Sequence, residues 1–356
     1  MDAASSEGTI TVYPGTYTEN VDVSKDRLTI RSENGADTTI VQAANPDDHV
    51  FEVAAGYVNI SGFTVKGATA SWKEEGVRRG RVGIYVHSVK HCNILDNIAR
   101  ENCIGIGPGY RADENRLADN DVYDNEVGIQ ICSSSYNSLI NNDALRNIWG
   151  IVIVGHSPPP SSTSISSANS NSNEKGGVSI PPFSAHQPLI HMSQALQNWI
   201  ASNNMVINNE ASNNDYGIYL RKSNSNIIYL NNFINNTYNV YSSDSTNTWN
   251  SPEEITYSYN STHYTSYLGN HWGDYAGSDA NGDGIGETPY NIDSDKDSYP
   301  LMEPFENYFN PWAYDENKDG KIQKIEAIHA VQDYFGGKIT KMQAIQVVML
   351  YFRSKD

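Results

Sequence analysis

A short strand motif that begins with glycine recurs along the chain, and its spacing constrains the fold more than any other feature. Between the first and fourth copies the glycines are 22 or 23 residues apart. A fixed period of this kind is the signature of a repeat architecture in which each repeat stacks on the next. The copies are Gly83-Ile84-Tyr85-Val86, Gly105-Ile106, Gly128-Ile129-Gln130-Ile131, Gly150-Ile151-Val152-Ile153 and Gly217-Ile218-Tyr219-Leu220.

An asparagine motif follows each copy and supports the same period. Asparagine tolerates the left-handed backbone of a tight turn, and its amide can hydrogen-bond along a stack of coils. The period fits one coil of a parallel β-helix, with coils about 4.8 Å apart. A leucine-rich horseshoe would need regular leucines, and a β-propeller blade would need about 40–50 residues. The asparagines are Asn93, Asn115, Asn137, Asn204 and Asn226.

We therefore predict an all-β fold, a right-handed parallel β-helix over residues 1–248. Residues 8–66 and 82–248 resemble the archaeal and bacterial β-helix repeat family that includes carbohydrate-binding and sugar-hydrolase domains and NosD-type periplasmic proteins. The segment Gly269-Asn270-His271-Trp272-Gly273-Asp274-Tyr275, with residues 279–290 and 299–301, resembles the closing segment of archaeal members. The resemblance implies the fold, whereas members of the family include hydrolases, lyases, epimerases and proteins without activity.

The NosD part of this resemblance implies copper-linked work in the periplasm. Copper sites favour His, Cys and Met ligands. His87, His91 and Cys92 are close in sequence, but strand alternation and turn geometry would direct them apart. We therefore expect Ca²⁺ rather than copper as the cofactor, on the grounds given below.

The charge balance narrows the class of partner. The net charge is -18, which argues against nucleic acid, because a phosphate partner needs a basic surface. Three cysteines make no disulfide framework, and no stretch is long and apolar enough to span a membrane. Together with the resemblance, the acidity predicts an extracellular or cell-surface protein.

Two interruptions of the repeat are predicted to flank one sheet. About 11 extra residues enter before a strand at about 67–81, and about 44 enter after the same strand type at about 157–202. These insertions would leave the coil at opposite edges of the sheet and form the walls of a trough. Long loops on rigid scaffolds often bind ligands, but they can also serve only as packing.

Alternation along the strands predicts which side chains line this trough. Aromatic, His and Arg side chains there would bind a polysaccharide, with rings stacking on sugars and cations neutralising uronic carboxylates. The alternative is an ordinary solenoid surface. The predicted substrate-binding residues are Trp72, Tyr85, His87, Arg111, Gln130, His156, Tyr219 and Arg221.

Catalysis has weaker support in the sequence. Hydrolysis needs two carboxyl groups about 5–10 Å apart, yet the predicted outward positions carry no Asp or Glu. Glu74 and Glu75 in the short insertion are the candidates. A lyase or epimerase needs a base and a group that neutralises a carboxylate, for which Tyr85, His87, Arg79 and Arg221 are candidates.

The strongest local motif lies near the C-terminus. Residues 315–326 match the calcium-loop pattern D-x-[DN]-x-[DN]-G-x5-E throughout. The predicted Ca²⁺ ligands are Asp315, Asn317, Asp319, the carbonyl of Lys321 and the closing carboxylate of Glu326.

A second copy of this loop and its helix follows 17 residues later, from Gly337 to Ile345. Tandem loop-helix repeats of this kind resemble dockerins, which implies that residues 311–356 bind a cohesin-like scaffold protein. The second copy has Gln332, Tyr334 and Gln343 at ligand positions, so we expect one calcium ion in this module. Packing of the apolar helix faces within the chain is the alternative to partner binding.

Residues 249–310 are predicted to cap the open end of the solenoid, since they are rich in aromatic and acidic residues. This segment holds another candidate calcium loop, with Asp279, Asn281, Asp283 and Glu287 as ligands. The sequence leaves three functions open. They are a tethered polysaccharide-binding module, a polysaccharide lyase, epimerase or hydrolase, and a structural surface or filament protein.

Overall fold

The computed structural model describes residues 4–74, 77–155, 200–260, 262–293, 295–317, 319–335, 339 and 341–353. Of residues 72–74, 77–79, 342 and 353 it describes the backbone alone. The parallel β-helix predicted from the repeat is confirmed, because successive coils each contribute one short strand to three long parallel sheets, which we call A, B and C.

Strands are numbered along the chain, and each sheet takes every third strand through most of the solenoid. Sheet A contains β1 (Thr9–Val12), β4 (Thr29–Ser32), β7 (Asn59–Ser61), β12 (Asn93–Leu95), β15 (Arg116–Ala118), β18 (Ser138–Ile140), β21 (Met205–Ile207) and β24 (Ile227–Tyr229). Sheet B contains β2 (Gly15–Thr18), β5 (Thr39–Gln42), β8 (Thr64–Lys66), β13 (Ile98–Arg100), β16 (Asp121–Tyr123), β19 (Asp143–Leu145), β22 (Glu210–Ser212), β25 (Asn232–Ile234) and β29 (His271–Trp272). Sheet C contains β3 (Val21–Val23), β6 (Phe51–Val53), β11 (Val82–Val86), β14 (Ile104–Pro108), β17 (Val127–Cys132), β20 (Trp149–Val154), β23 (Tyr216–Arg221) and β26 (Tyr238–Ser243).

The isoleucine of the strand motif forms a column through the interior. Each motif isoleucine of sheet C is in register with that of the next coil, and all are fully buried. Burying one such side chain contributes about 1.5–3 kcal/mol. The column consists of Ile84, Ile106, Ile129, Ile151 and Ile218.

The motif glycine is required by the close approach of neighbouring coils. A Cβ atom on Gly105 would lie 2.6 Å from the carbonyl oxygen of Gly128, and one on Gly128 would lie 2.6 Å from that of Gly150. Any side chain here would therefore push two coils apart.

Asparagine side chains in the turns form three ladders that run along the solenoid. In each ladder a backbone nitrogen donates to the Oδ1 atom of the asparagine one coil further on, at 2.8–3.2 Å. Ladder 1 is Asn115, Asn137, Asn204, Asn226 and Asn247; ladder 2 is Asn97, Asn120, Asn142, Asn209, Asn231 and Asn270; ladder 3 is Asn102, Asn125, Asn147, Asn214 and Asn236.

One member of the predicted asparagine motif does not belong to a ladder. Cys92, not Asn93, occupies the position before Asn115 in ladder 1, and its backbone nitrogen donates to Asn115 at 2.9 Å. Asn93 instead lies in β12 and donates from Nδ2 to Asn59 Oδ1 at 2.8 Å. The step of 23 residues from Cys92 to Asn115 explains the misplacement, because a strict period of 22 selects Asn93.

Each ladder leads to an aspartate at the C-terminal end of the solenoid. Ladder 1 ends on Asp295 and ladder 2 ends on Asp297. Ladder 3 continues through Asn239, whose Nδ2 atom donates to Asp274 Oδ1 at 2.7 Å. The last asparagine of a ladder still has N–H groups to donate, but no further asparagine accepts them. A carboxylate, which only accepts hydrogen bonds, therefore suits this position.

The two interruptions of the repeat flank sheet C. Strands β9 (Ser71–Glu74) and β10 (Val77–Gly80) form an antiparallel hairpin directly before β11. The longer insertion follows β20 and lies mostly in residues 156–199, outside the described residues.

Aromatic rings cover the C-terminal end of the core. Trp272 in β29 stacks on Phe233 at 4.7 Å and on Tyr290 at 4.3 Å between ring centroids. Two antiparallel ribbons complete this end, formed by β27 (Ile255–Tyr259) with β28 (Thr262–Ser266), and by β30 (Tyr290–Ile292) with β31 (Asp295–Asp297).

Two 3-10 helices, Phe305–Tyr308 and Pro311–Tyr314, lead to the C-terminal helices α1 (Lys324–Phe335) and α2 (Lys341–Arg353). The helices share a small apolar core whose members repeat at the predicted 17-residue shift. Ile322, Ala327 and Ala330 in the first copy correspond to Ile339, Ala344 and Val347 in the second.

Candidate functional sites

Side chains of sheet C that point away from the interior form a row along the coils. Tyr85 lies between the buried residues Ile84 and Val86, and it is in register with Glu52 in the preceding coil. The expectation that this face carries no carboxylate is therefore wrong, because Glu52 belongs to an opening coil without the glycine motif. The outer row consists of Asp22, Glu52, Tyr85, Gly107, Gln130, Val152, Tyr219 and Tyr241.

Three stacked rings line a pocket of about 430 Å³ near the N-terminal end of the outer row. The ring centroids of His49 and Tyr85 are 4.4 Å apart, and those of Tyr85 and His87 are 5.4 Å apart. His87 Nδ1 lies 3.2 Å from Glu52 Oε1. Arg81 lines the same pocket, so aromatic, cationic and anionic groups meet there.

His49 and Arg81 direct hydrogen-bond donors at one another. His49 Nδ1 accepts a hydrogen bond from the backbone nitrogen of Val82 at 3.0 Å, so the neutral ring carries its proton on Nε2. Arg81 Nη1 lies 3.4 Å from that Nε2 atom. Because both groups are donors in this tautomer, both can donate to one bound acceptor, such as a carboxylate.

The charge state of His49 follows from its surroundings. Burial lowers the pKa of His49 to about 4, and the positive charge of Arg81 acts in the same direction. The ring is therefore neutral at neutral pH, and the cation of this donor pair is Arg81.

Sequence reasoning missed His49, and no local signal would have found it. His49 precedes β6 in an opening coil that lacks the glycine motif, and it joins Arg81 only through the register of β6 with β11. Arg81 is the last residue of the predicted short insertion, and it reaches the pocket because the hairpin returns to sheet C before Val82.

The middle of sheet C is apolar on its outer face. Val127, Cys132, Val152 and Val154 form a buried cluster that is separate from the interior core. Gln130, predicted to bind substrate, is only 4% exposed here. Within the described residues, the outer row therefore offers accessible polar and aromatic groups at its two ends rather than throughout.

Four tyrosines, which we call the tyrosine platform, lie at the other end of the outer row. Tyr219 stacks on Tyr241 at 4.7 Å, and Tyr216 stacks on Tyr238 at 5.0 Å between centroids. Tyr238 and Tyr241 are exposed. Arg221 belongs to the same strand as Tyr219 and is in register with Val154.

The remaining predicted residues of the trough are dispersed. Arg111 lies over the ring of Tyr110 at 5.0 Å and lines a separate hollow. Trp72, Glu74 and Arg79 lie in the hairpin, where Trp72 pairs with Arg79. Glu75 and His156 lie outside the described residues.

The predicted loop at 315–326 folds around its own acidic side chains. The Asp315 carboxylate accepts hydrogen bonds from the backbone nitrogens of Asp319 and Gly320, at 3.1 and 2.8 Å. Asn317 Oδ1 accepts from the Asp319 nitrogen at 3.1 Å. Gly320 has a φ of +77°, which explains glycine at the sharp turn. Asp319 Oδ1 accepts from the backbone nitrogen of Lys321 at 2.9 Å.

The loop at 279–287 repeats this arrangement. The Asp279 carboxylate accepts from the backbone nitrogens of Asp283 and Gly284, at 3.1 and 2.8 Å. Asn281 Oδ1 accepts from the Asp283 nitrogen at 3.0 Å, and Gly284 has a φ of +86°. Two loops separated in sequence thus adopt the same backbone turn with the same acceptors.

The two loops differ in the acid that closes them. The buried Glu326 accepts from the backbone nitrogens of Glu316 and Gln323, at 2.9 and 2.8 Å. Glu287 is exposed and accepts from the backbone nitrogen of Ala280 at 2.6 Å. Both closing acids therefore fold back onto their own loops.

Comparison with protein families identifies the group to which the solenoid belongs. The family described as periplasmic copper-binding protein (NosD) matches residues 1–179 and 189–277, which is most of the chain. The chain belongs to the NosD family. The family description places NosD proteins in the periplasm, and no helix among the described residues is long and apolar enough to cross a membrane.

The described residues of this NosD-family chain do not fit a copper site. Cys92 is buried in the interior, and Cys103 and Cys132 are buried in the apolar cluster of sheet C. His87 contacts Glu52, whereas His91 lies 3.4 Å from Glu114. In the part of the chain that the structure describes, no three His, Cys, Asp or Glu side chains converge as metal ligands.

Several solved structures are similar to this NosD-family chain. ORF18 of Geobacillus virus E2 is 13% identical with a TM-score of 0.44, over 67% of this chain and 42% of the viral chain. The periplasmic alginate epimerase AlgG is 16% identical with a TM-score of 0.38, over 61% of this chain and 38% of AlgG. Pectin methylesterase PemA from Erwinia chrysanthemi is 10% identical with a TM-score of 0.35, over 78% and 84% of the two chains. The chain spans less than half of the first two proteins, and no curated protein matches it.

Proposed function

We propose that this NosD-family protein binds an acidic polysaccharide on the outer face of sheet C, outside the cytoplasm. The observation that carries the proposal is the pair of donors formed by His49 Nε2 and Arg81 beside the ring of Tyr85. The Nε2–H group of a neutral His49 and the guanidinium of Arg81 can both donate to one anionic acceptor bound beside them.

A uronate unit has the features that this pocket would recognise. Its carboxylate would accept from Arg81 and His49, and each hydrogen bond to a charged group contributes about 1.5–3 kcal/mol. The tyrosine platform supplies aromatic faces for neighbouring sugars, four coils further along the outer row. At about 4.8 Å a coil, the two ends are about 19 Å apart, so an extended chain of several sugars would reach both.

Binding to a polyuronate and to a neutral glucan, measured by calorimetry, tests this proposal. We expect binding of the polyuronate alone. Arg81→Gln should weaken it about tenfold or more and reduce its salt dependence. Arg27→Gln, which changes an exposed arginine in an opening coil, should bind like the wild type. Equal affinity for both polymers, or an unaffected Arg81→Gln variant, would contradict the proposal.

A second candidate function is removal of the proton next to a uronate carboxylate, the step shared by lyases and epimerases. The adjacent side chains of Tyr85 and His87 favour it, because a base must lie close to a neutralised carboxylate, and Arg81 lines the same pocket. Hydrolysis has less support, since Glu52 is the one carboxylate among the described residues of the pocket. Mass spectrometry of a polyuronate after incubation would detect unsaturated or epimerised products.

We also propose that the loops at 279–287 and 315–326 bind Ca²⁺. Their shared pattern of acceptors supports the proposal, since Asp and Asn oxygens at alternate positions before a glycine are typical of calcium loops. The full motif with Glu326 favours tighter binding at the second loop than at the first, where Tyr290 occupies the closing position.

The helix pair is proposed to tether the protein to a cohesin-like scaffold. Ile325, Phe335, Met349 and Phe352 remain exposed, so the apolar faces of α1 and α2 are only partly used within the chain. Co-migration with a cohesin-like module in size-exclusion chromatography tests this proposal. Failure of the wild-type protein to form a complex with any of a panel of cohesin-like modules would contradict it.

A further inference from the structure

A row of acidic residues runs along sheet B, on a flank of the solenoid away from the pocket of sheet C. Asp121, Asp143 and Glu210 begin β16, β19 and β22, and they are in register on consecutive coils. Neighbouring strands lie about 4.8 Å apart, and like charges at such positions destabilise a sheet. We call these three residues the acidic ladder.

A second row lies beside the acidic ladder, in the turns that precede the same strands. Asp96, Asp119, Asn141 and Asn208 occupy equivalent positions, each with a φ between 52° and 56°. The backbone nitrogens of Asp96 and Asp119 donate to the carbonyl oxygens of Ala118 and Ile140, at 3.2 and 3.1 Å. Each acceptor residue directly precedes the next member of the row. The two rows together present carboxylate and amide oxygens over several coils.

The C-terminal part of the chain encloses these rows and forms a cleft of about 490 Å³. Glu306, held by Asn232 Nδ2 at 3.0 Å, adds another carboxylate. Lys341 is the one basic side chain among the described residues that line the cleft. The lining carboxylates are Asp37, Asp96, Asp119, Asp121, Asp143 and Glu306, so negative charge exceeds positive charge here.

Two amide oxygens at this cleft have no hydrogen-bond partner within the structure as described. Asn208 is only 6% exposed, and its Oδ1 atom is unpartnered. Asn141 Oδ1 is unpartnered as well, although its Nδ2 atom donates to Asp119 Oδ1 at 3.2 Å. A buried acceptor without a partner costs about 1–3 kcal/mol, so binding of a cation or a hydrogen-bond donor at these oxygens would be favourable.

The acidic groups of the cleft are accessible to an ion. Asp121 and Asp143 are both exposed at the open side of the cleft.

We propose that this cleft binds a divalent metal cation between Asp121 and Asp143 of the acidic ladder and the amide oxygens of Asn141 and Asn208. Carboxylate and amide oxygens are the ligands that Ca²⁺ and Mg²⁺ prefer. No three acidic side chains of the described residues converge on one point, so the ion retains part of its water shell. The cleft has room for it, since a water molecule takes about 30 Å³. The ion offsets the repulsion within the ladder and joins the solenoid to Glu306.

Calorimetric titration of the full chain with Ca²⁺, and separately with Mg²⁺, tests the proposal. The Asp121→Asn/Asp143→Asn variant keeps the shape of the cleft and removes two charges. We expect it to bind one equivalent fewer than the wild type, while Asp215→Asn, at an exposed turn elsewhere, binds as many as the wild type. The metal for which the double variant binds one equivalent fewer than the wild type is the ion of the cleft. Equal stoichiometry of the wild type and the double variant for both metals would overturn the proposal.

The calcium loops at 279–287 and 315–326 are distinguished from the cleft by the variants that affect them. Asp319→Asn should remove the equivalent of metal bound by the loop at 315–326 and leave the equivalent bound by the cleft in place. Thermal unfolding provides a second readout. In chelator the double variant should melt above the wild type, because repulsion is relieved, and it should gain less on adding the metal. A double variant that melts lower in chelator and gains as much as the wild type would overturn the proposal.

Discussion

The carboxylate of Asp297 accepts a hydrogen bond from the backbone nitrogen of Asn270 at 2.7 Å and thereby ends ladder 2. Trp272 Nε1 and the backbone nitrogen of Tyr299 donate to the same carboxylate, each at 3.0 Å. Asp297 is fully buried, and its hydrogen bonds with Asn270 and Trp272 are buried as well. One side chain thus satisfies three donors from separate parts of the closing segment.

Replacing Asp297 should therefore be costly. Asp297→Ala leaves three donors unpaired, of which the two from Asn270 and Trp272 are buried and cost about 1–3 kcal/mol each, and we expect the free energy of unfolding to fall by about 3 kcal/mol or more. Urea denaturation followed by circular dichroism measures the change. Asp47→Ala, at an exposed turn, serves as the control and should fall by less than about 0.5 kcal/mol. Similar losses in both variants would show that the ladder end contributes little.

The contact between coils at the motif glycine gives a second prediction. Gly128→Ala would place Cβ 2.6 Å from the carbonyl oxygen of Gly150, and the strands must separate to accept it. We expect a loss of about 1–3 kcal/mol in the free energy of unfolding. Gly107→Ala is the matched control, because its nearest atom would be 3.2 Å away. Thermal melts of the two variants should differ clearly, and coinciding melts would refute the packing argument.

His49 gives a pH-dependent prediction. Its folded-state pKa of about 4 lies below the usual 6.5, so only the unfolded chain takes up this proton between those values. The free energy of unfolding should then fall as pH drops from 6.5 to 4, by up to about 3 kcal/mol from this group. Urea titrations at several pH values should show a shallower decline for His49→Gln than for the wild type. His263→Gln, an exposed control, should follow the wild type; parallel wild-type and His49→Gln curves would count against the assignment.

The calcium loops can be separated by luminescence of bound Tb³⁺. Trp312 lies next to the loop at 315–326, and Tyr264 donates from its hydroxyl to the Gly282 carbonyl at 2.9 Å. We expect excitation of tryptophan to report the loop at 315–326 and excitation of tyrosine to include the loop at 279–287. Asp319→Asn should remove the tryptophan-sensitised signal, and excess Ca²⁺ should displace Tb³⁺ from the wild type. An unchanged signal in Asp319→Asn would exclude binding at that loop, with Asp244→Asn as the control.

The sequence was sufficient to predict the solenoid because its packing repeats. Ile84 and Ile106 occupy equivalent buried positions in consecutive coils, so the period of the pattern reports the period of the structure. The same logic located the two insertions. The period predicts one row of turn asparagines, whereas the structure has three ladders, because ladders 2 and 3 occupy other positions of each coil.

The candidate pocket was less accessible to sequence reasoning. Tyr85 and His87 were found by alternation, but His49 and Glu52 come from an earlier coil and reach the pocket through strand register alone. The acidic ladder was missed for the same reason, because Asp121, Asp143 and Glu210 are separated by 22 and 67 residues and the longer step includes the insertion. Side chains that meet between coils leave no local motif.

Because the ladders end on Asp274, Asp295 and Asp297, the hydrogen bonds of the closing segment do not depend on the number of coils in the solenoid. Every interior coil presents the same three amides upward and the same three downward, so the closing segment would meet identical partners after any whole number of coils. Gain or loss of a 22-residue unit by gene duplication or deletion would therefore leave the cap fully bonded. What such a change would alter is the distance between the pocket at Tyr85 and the tyrosine platform, and with it the length of polymer that one molecule can hold.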